Sequence, residues 1–287
     1  MRIAGEHEDH YDPDFYIYND VVVKHPDGII EIFVYPEDVF PPTDFHSATL
    51  VGSRIILIGN LGYVSQRRVK HTQVYILELD TWEIRKVETS GTPPSWIYEH
   101  LANLIENGQS ILLETGKVLQ ERQKDDFSHV ENIDDWELNM EDWSWTLKRK
   151  RDWKRWEFRR KDGQSNDLWE MGDRIWDYQC PSGIVIVKVL FDRLLRMFGW
   201  KRKIVIQMET YKDLFVPNVA HEKVDTEDFN HHWFRIDGVL VRYVEDSYSV
   251  QLTIEGELPK EITQRLVKDL KEKLEFIEET EYEVTAI

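Results

Sequence analysis

The feature that most restricts the fold of this chain is an internal repetition. His46-Ser47-Ala48-Thr49-Leu50-Val51, followed by Arg54-Ile55-Ile56-Leu57-Ile58-Gly59, aligns with a second stretch. That stretch is His100-Leu101-Ala102-Asn103-Leu104-Ile105, followed by Ser110-Ile111-Leu112-Leu113. Each copy reads as a strand, a tight polar turn and a buried strand of aliphatics. Downstream, Val74 to Trp82 aligns with Asp135 to Trp143, each holding an aromatic (Tyr75 or Trp136), six residues and then Trp. Both pass through an acidic turn into a fourth strand, Glu83 to Val87 or Ser144 to Lys148. The copies are 54 residues apart at the histidines and 61 at the tryptophans. A unit of this kind buries its faces only against its neighbours.

Pro41-Pro42 and Pro93-Pro94 precede the two histidines. Proline cannot donate to a ladder, so each pair ends one strand and starts the passage to the next sheet. A half-copy lies upstream, Phe15 to Val23 and Ile29 to Tyr35 around His25-Pro26-Asp27-Gly28. Over roughly residues 15–160 the pattern resembles the kelch repeat, whose family builds four-stranded β-propeller blades at a period of about fifty residues. The usual Gly-Gly doublet is reduced to Gly59-Asn60 and Glu114-Thr115-Gly116, and the usual second-strand Tyr is Trp136. The resemblance implies a binding scaffold, usually for another protein. Closed propellers need about four to eight blades. Two full units and a half leave sheet edges for the rest of the chain, for divergent blades, or for another subunit in a homo-oligomer.

The expected fold is therefore a β-rich kelch-like domain over residues 1–161, an incomplete or divergent propeller, with an α+β domain over 183–287. In the second part, Val187, Leu190, Phe191, Leu194, Leu195 and Phe198 have helical spacing, and Lys203 to Met208 reads as a strand. Trp233 to Tyr243 and Tyr248 to Ile254 read as a hairpin around Glu245-Asp246-Ser247. Pro259 opens an amphipathic helix with Ile262, Leu266, Leu270, Leu274 and Ile277 on one face, and Tyr282 to Ile287 reads as a last strand. The boundary is expected near residues 162–182.

Charge then sorts the partners. With 36 Lys+Arg against 54 Asp+Glu, the formal charge is −18. A surface that acidic repels phosphate backbones and anionic lipid, which weighs against nucleic acid and membrane and favours a basic protein. One cysteine, Cys180, gives no intrachain disulfide. The first residues turn acidic with no apolar run, and a cytoplasmic location is the expectation. Gly-x-Ser-x-Gly, phosphate-loop, dinucleotide and His-Glu-x-x-His patterns are absent, so no cofactor and no catalytic residue is assigned.

The imbalance is uneven. Residues 148–161 hold nine basic and two acidic residues, +7 by difference, which leaves −25 for the rest of the chain. Seven of the 11 Trp fall between Trp136 and Trp176. Trp143, Trp145, Arg149, Arg151, Trp153, Arg155 and Trp156 are accordingly the candidate binding residues, since Trp and Arg dominate interface energetics. The competing account is that Trp143 fills a blade core and the cations form its solvent face. His7, Asp9, His10 and Asp12, and His231-His232, carry metal-ligand chemistry but are read as solvated or locally bonded, so no metal is assigned. His46 and His100 are expected to be buried and bonded to backbone groups. The leading function is a non-catalytic protein-interaction protein. The rivals are an acidic inhibitor or immunity-type protein that neutralises a basic toxin, and a carbohydrate-active or oxidoreductase enzyme on a kelch-like propeller.

Overall fold

In the computed structural model of the protein, residues 1–7, 16–105, 108–123, 126–168, 171, 210–226 and 230–287 are described. They fall into two compact units, Met1–Arg151 and Asp152–Ile287. The described residues are strand-rich, in several antiparallel sheets of which none closes into a barrel. No helix among them is long and apolar enough to cross a membrane.

The first unit opens with β1 (Arg2–His7), β2 (Tyr16–Lys24) and β3 (Ile30–Val34), a sheet in that order. The β2–β3 turn is closed by Gly28, whose N–H reaches the His25 carbonyl at 3.0 Å at a φ of +90° open to glycine. Next come β4 (Ser47–Val51), β5 (Arg54–Ile58), β6 (Val74–Glu78) and β7 (Ile84–Lys86), paired in sequence order. After β8 (Ser90–Gly91) and β9 (Ile97–Tyr98) the same meander recurs as β10 (Leu101–Leu104), β11 (Ser110–Glu114), β14 (Asp135–Asn139) and β15 (Ser144–Arg149). The hairpin β12 (Lys117–Gln123) and β13 (Asp126–Glu131) lies between β11 and β14 in sequence and forms a separate sheet with β9. That insertion, with a longer β10–β11 turn, explains why the two copies differ in spacing at His and at Trp.

Alternation on β5 joins the sheets. Ile55 and Leu57 enter a cluster with Ala4, Val21, Val23 and Phe40 on the side of β1–β3. Their neighbours Ile56 and Ile58 enter a different cluster with Ile97, Ile111, Leu113 and Leu138 on the side of β10–β15. Both faces of a strand are buried this way only in the middle layer of a stack. The far face of the β10–β15 sheet is polar: register puts Asn103, Leu112, Glu137 and Thr146 in one row, and Lys148 bonds Glu137 at 2.6 Å.

Each copy also repeats its backbone exceptions. Phe45 and Glu99, directly before the histidines, have φ of +47° and +55°. Trp82 and Trp143 have φ of +60° and +55°, a left-handed conformation that a bulky side chain adopts at a cost of about 1 kcal/mol. Ring packing offsets that cost: Trp82 stacks on Phe33 at 4.9 Å and 18°, and Trp143 packs on the second cluster.

The second unit is a sheet of β16 (Lys154–Arg160), β17 (Glu222–Val224), β18 (His231–Ile236), β19 (Val239–Glu245), β20 (Val250–Ile254) and β21 (Tyr282–Ala286), in the order β17-β18-β19-β20-β16-β21. Helix α1 (Lys260–Glu278) buries Leu266, Leu270, Leu274 and Ile277 against Phe158, Tyr243, Leu252 and Ile254. Two expectations change. The basic segment does not run through as the close of the first unit: β16 pairs with β20 and β21, and Phe158 is wholly buried in the second unit's core, so the units divide at Arg151–Asp152. The stretch Trp233 to Tyr243 is two strands, broken at Asp237-Gly238 with φ of +48° and +81°. The expected helix from Val187 to Phe198 and the strand from Lys203 to Met208 lie outside the described residues, as does Cys180.

Candidate functional site

The seven candidate residues are divided between the two units. Four lie in the first unit and three in the second. Trp145 is 4% exposed and belongs to the core cluster between the two meanders, while Trp143 packs on the same cluster. Arg151 is held as part of the fold: its guanidinium grips Asp135 at 2.6 and 3.1 Å, and its backbone N–H donates to the Asp134 carboxylate at 2.8 Å. Bidentate pairing of this kind is the strongest ion-pair geometry a side chain offers. Arg149 is exposed at the end of β15.

In the second unit, alternation along β16 separates Arg155 from Trp156. Trp156 faces the helix and packs on its core. Arg155 points to the opposite face and is 8% exposed. Register gives its row there, Trp233, Arg242, Thr253 and Arg155 on consecutive strands. The Arg242 guanidinium lies 5.3 Å from the Trp153 ring and 6.0 Å from the Trp233 ring, and bonds Glu255 at 2.7 Å. Cation–π contacts of this kind are worth about 0.5–2 kcal/mol each. Sequence inspection found Trp153 and Arg155 but missed Arg242 and Trp233, which lie some 80 residues away. The alternation Trp233-x-Arg235 beside Val239 to Glu245 would have placed them, had the turn at Asp237-Gly238 been read.

The first unit also carries a shallow groove of about 520 Å³, outside the basic segment. Tyr35 and Trp82 give it aromatic walls, and Glu78 and Glu83 give it carboxylates, with Val39 and Ile84 between. The Tyr35 hydroxyl donates to the Trp82 carbonyl at 2.7 Å, and Phe33 backs the indole, so the walls are fixed. Arg85 also lines the groove, 4.0 Å from Glu78. An aromatic surface beside carboxylates suits a cationic side chain.

His100 is buried and His46 half-buried, and desolvation holds both imidazoles down to about 4, with His46 adding repulsion at His100. The expected backbone bond to His100 is replaced by the Ser47 hydroxyl, 2.8 Å from Nε2. His232 stacks on Phe215 at 4.1 Å and His231 on Trp233 at 6.2 Å. Of the N-terminal donor set, Asp9, His10 and Asp12 lie outside the described residues. Among the described residues no three His, Cys, Asp or Glu side chains converge as a metal-ligand group. Glu245 is pushed up to about 7 by burial, with Glu278 beside it. Glu278 is itself raised by burial and pairs with Arg160 at 2.8 Å. The Arg160–Glu278 pair ties the end of α1 to β16.

No protein-family model matches this chain, and no curated protein matches it.

Proposed function

We propose that the chain is a non-catalytic protein-interaction protein, built as an incomplete kelch-like propeller followed by an α+β domain, and that its partner is a basic protein. The observation that carries this is the groove beside Trp82, where a rigid aromatic pair and two carboxylates face solvent on a chain of charge −18. A Lys or Arg side chain entering it gains cation–π contact and charge pairing together. Long-range attraction between an acidic body and a basic partner also speeds their encounter. The repeat pattern supports the kelch-like part: two four-stranded meanders in the same order, stacked on a shared core. The narrower form of the reading, an inhibitor of a basic toxin, is favoured by the same net charge.

The test is affinity capture from the native host followed by binding measurements on the purified pair. A basic partner whose affinity falls steeply with salt, and falls at least tenfold for Glu78→Gln/Glu83→Gln, supports the reading. A partner that ignores both salt and the double variant overturns it.

A further inference from the structure

We propose that two copies of the chain associate by pairing β3 with β3, antiparallel, about a two-fold axis at Ile32. Among the described residues β3 is an open edge of its sheet, in which β2 is the middle strand. The opposite edge, β1, is broken by a register slip at Ile3–Gly5, with Ala4 and Gly5 at φ of +49° and +102°. Bulges of this kind blunt an edge against further pairing. Edge strand β7 of the middle sheet is three residues long and carries Arg85 and Lys86. β3 carries no bulge, proline or lysine over Ile30-Glu31-Ile32-Phe33-Val34.

The backbone phase fits the axis. His25 donates its N–H to the Ile29 carbonyl at 2.8 Å, so the bonded rungs to β2 fall at residues 29, 31 and 33. Ile30, Ile32 and Val34 therefore direct both their N–H and C=O groups to the open edge. A two-fold at Ile32 sets Ile32 against Ile32 of the second copy, and Ile30 against Val34 of the second copy. All three rungs are of the bonded kind, six reciprocal hydrogen bonds in all by counting two per rung.

The side chains are complementary to themselves as well. Ile30, Ile32 and Val34 are 59%, 60% and 73% exposed and share one face, so aliphatic meets aliphatic in every rung. Glu31, the strand's one charge, falls opposite Phe33 of the second copy. On β2, Lys24 pairs with Ile30 and Asp20 with Val34. Each outer row of the joined sheet thus begins with a lysine of one copy and ends with an aspartate of the other, which keeps like charges apart. A strand from an unrelated protein would have to match all three features; a second copy supplies them by symmetry. The proposal is independent of the basic-partner reading.

Sedimentation velocity over a concentration series on the full chain tests it. A dimer that Ile32→Pro weakens on the order of thirtyfold is expected, because that N–H bonds nothing in β2 and two bonds are lost across the axis. Ile32→Lys should abolish it, and Ile32 is too exposed for either change to disturb the core. Ile32→Cys in a Cys180→Ser background should cross-link on mild oxidation, since bonded-pair Cα atoms lie about 5.5 Å apart. A chain that stays monomeric at every concentration overturns the proposal. So does a dimer indifferent to both Ile32 substitutions.

Discussion

The ring of His100 occupies the space that Gly59 leaves by having no side chain. A Cβ on Gly59 would stand 2.7 Å from His100 Cε1 and press into the Ile97 carbonyl oxygen. From the other side, a Cβ on Gly116 would come within 2.8 Å of His100 Cα. Each copy of the repeat carries one glycine after its second strand, Gly59 or Gly116, and both close on the same histidine.

Gly59→Ala should therefore destabilise the first unit by roughly 2 kcal/mol or more, combining the φ of +77° with the clash. Gly52→Ala has φ of +63° with open space around it and should cost only about 1 kcal/mol. Urea midpoints of the two variants against the parent check this.

His46 and His100 set a pH dependence whose sign is fixed. Their folded values near 4 lie below the usual 6.5, so between those limits the unfolded chain binds more protons. Stability of the first unit is full above 6.5 and falls as pH drops toward 4. His46→Asn should flatten that fall, read as a smaller loss of urea midpoint between neutral and acidic buffer.

Glu245 in the second unit has the opposite slope. Its folded value of about 7 exceeds the ordinary 4.5, so the folded state holds the extra proton in that window. Its contribution to stability is greatest below 4.5 and is lost as pH rises through 7. Glu245→Gln should raise the urea midpoint above pH 7 and leave it nearly unchanged in acid. Parallel curves for variant and parent would refute this.

Arg151 and Arg149 are neighbours by two in sequence and opposite in consequence. Removing Arg151 leaves the Asp135 carboxylate, 9% exposed, without its partner, and Arg151→Met should cost about 3 kcal/mol. Arg149→Met should stay within about 0.5 kcal/mol. Thermal melts of both variants decide it.

The meanders were legible because the repeat writes them twice: turn residues, aliphatic runs and the closing Trp recur in one order. What alternation alone could not show was partnership. The basic run from Lys148 to Lys161 is continuous in sequence, yet Arg151 bonds backward to Asp135 while Trp156 and Phe158 pack forward on residues some hundred positions later. Nothing local marks the change of sheet between them. Trp153 and Arg155 were visible as an aromatic–cation pair, but their neighbours Arg242 and Trp233 are set by strand register across the sheet. The β12–β13 hairpin was missed because its few apolar residues, Val118, Leu119, Phe127 and Val130, are separated by a long polar run and show none of the sustained apolar alternation that identified the others.

Strand β5 gives the first unit a particular way of coming apart. Ile55 and Ile56 are bonded neighbours, yet they sit in separate oily layers on opposite sides of one sheet. Peeling away either outer sheet uncovers half of β5, and the strand then loses the support that held the remaining layer. Melting should accordingly be a single all-or-none event for the whole unit. A calorimetric trace would show one heat-absorption peak for this unit, and trimming Ile55 or Ile56 would move that same peak rather than split it.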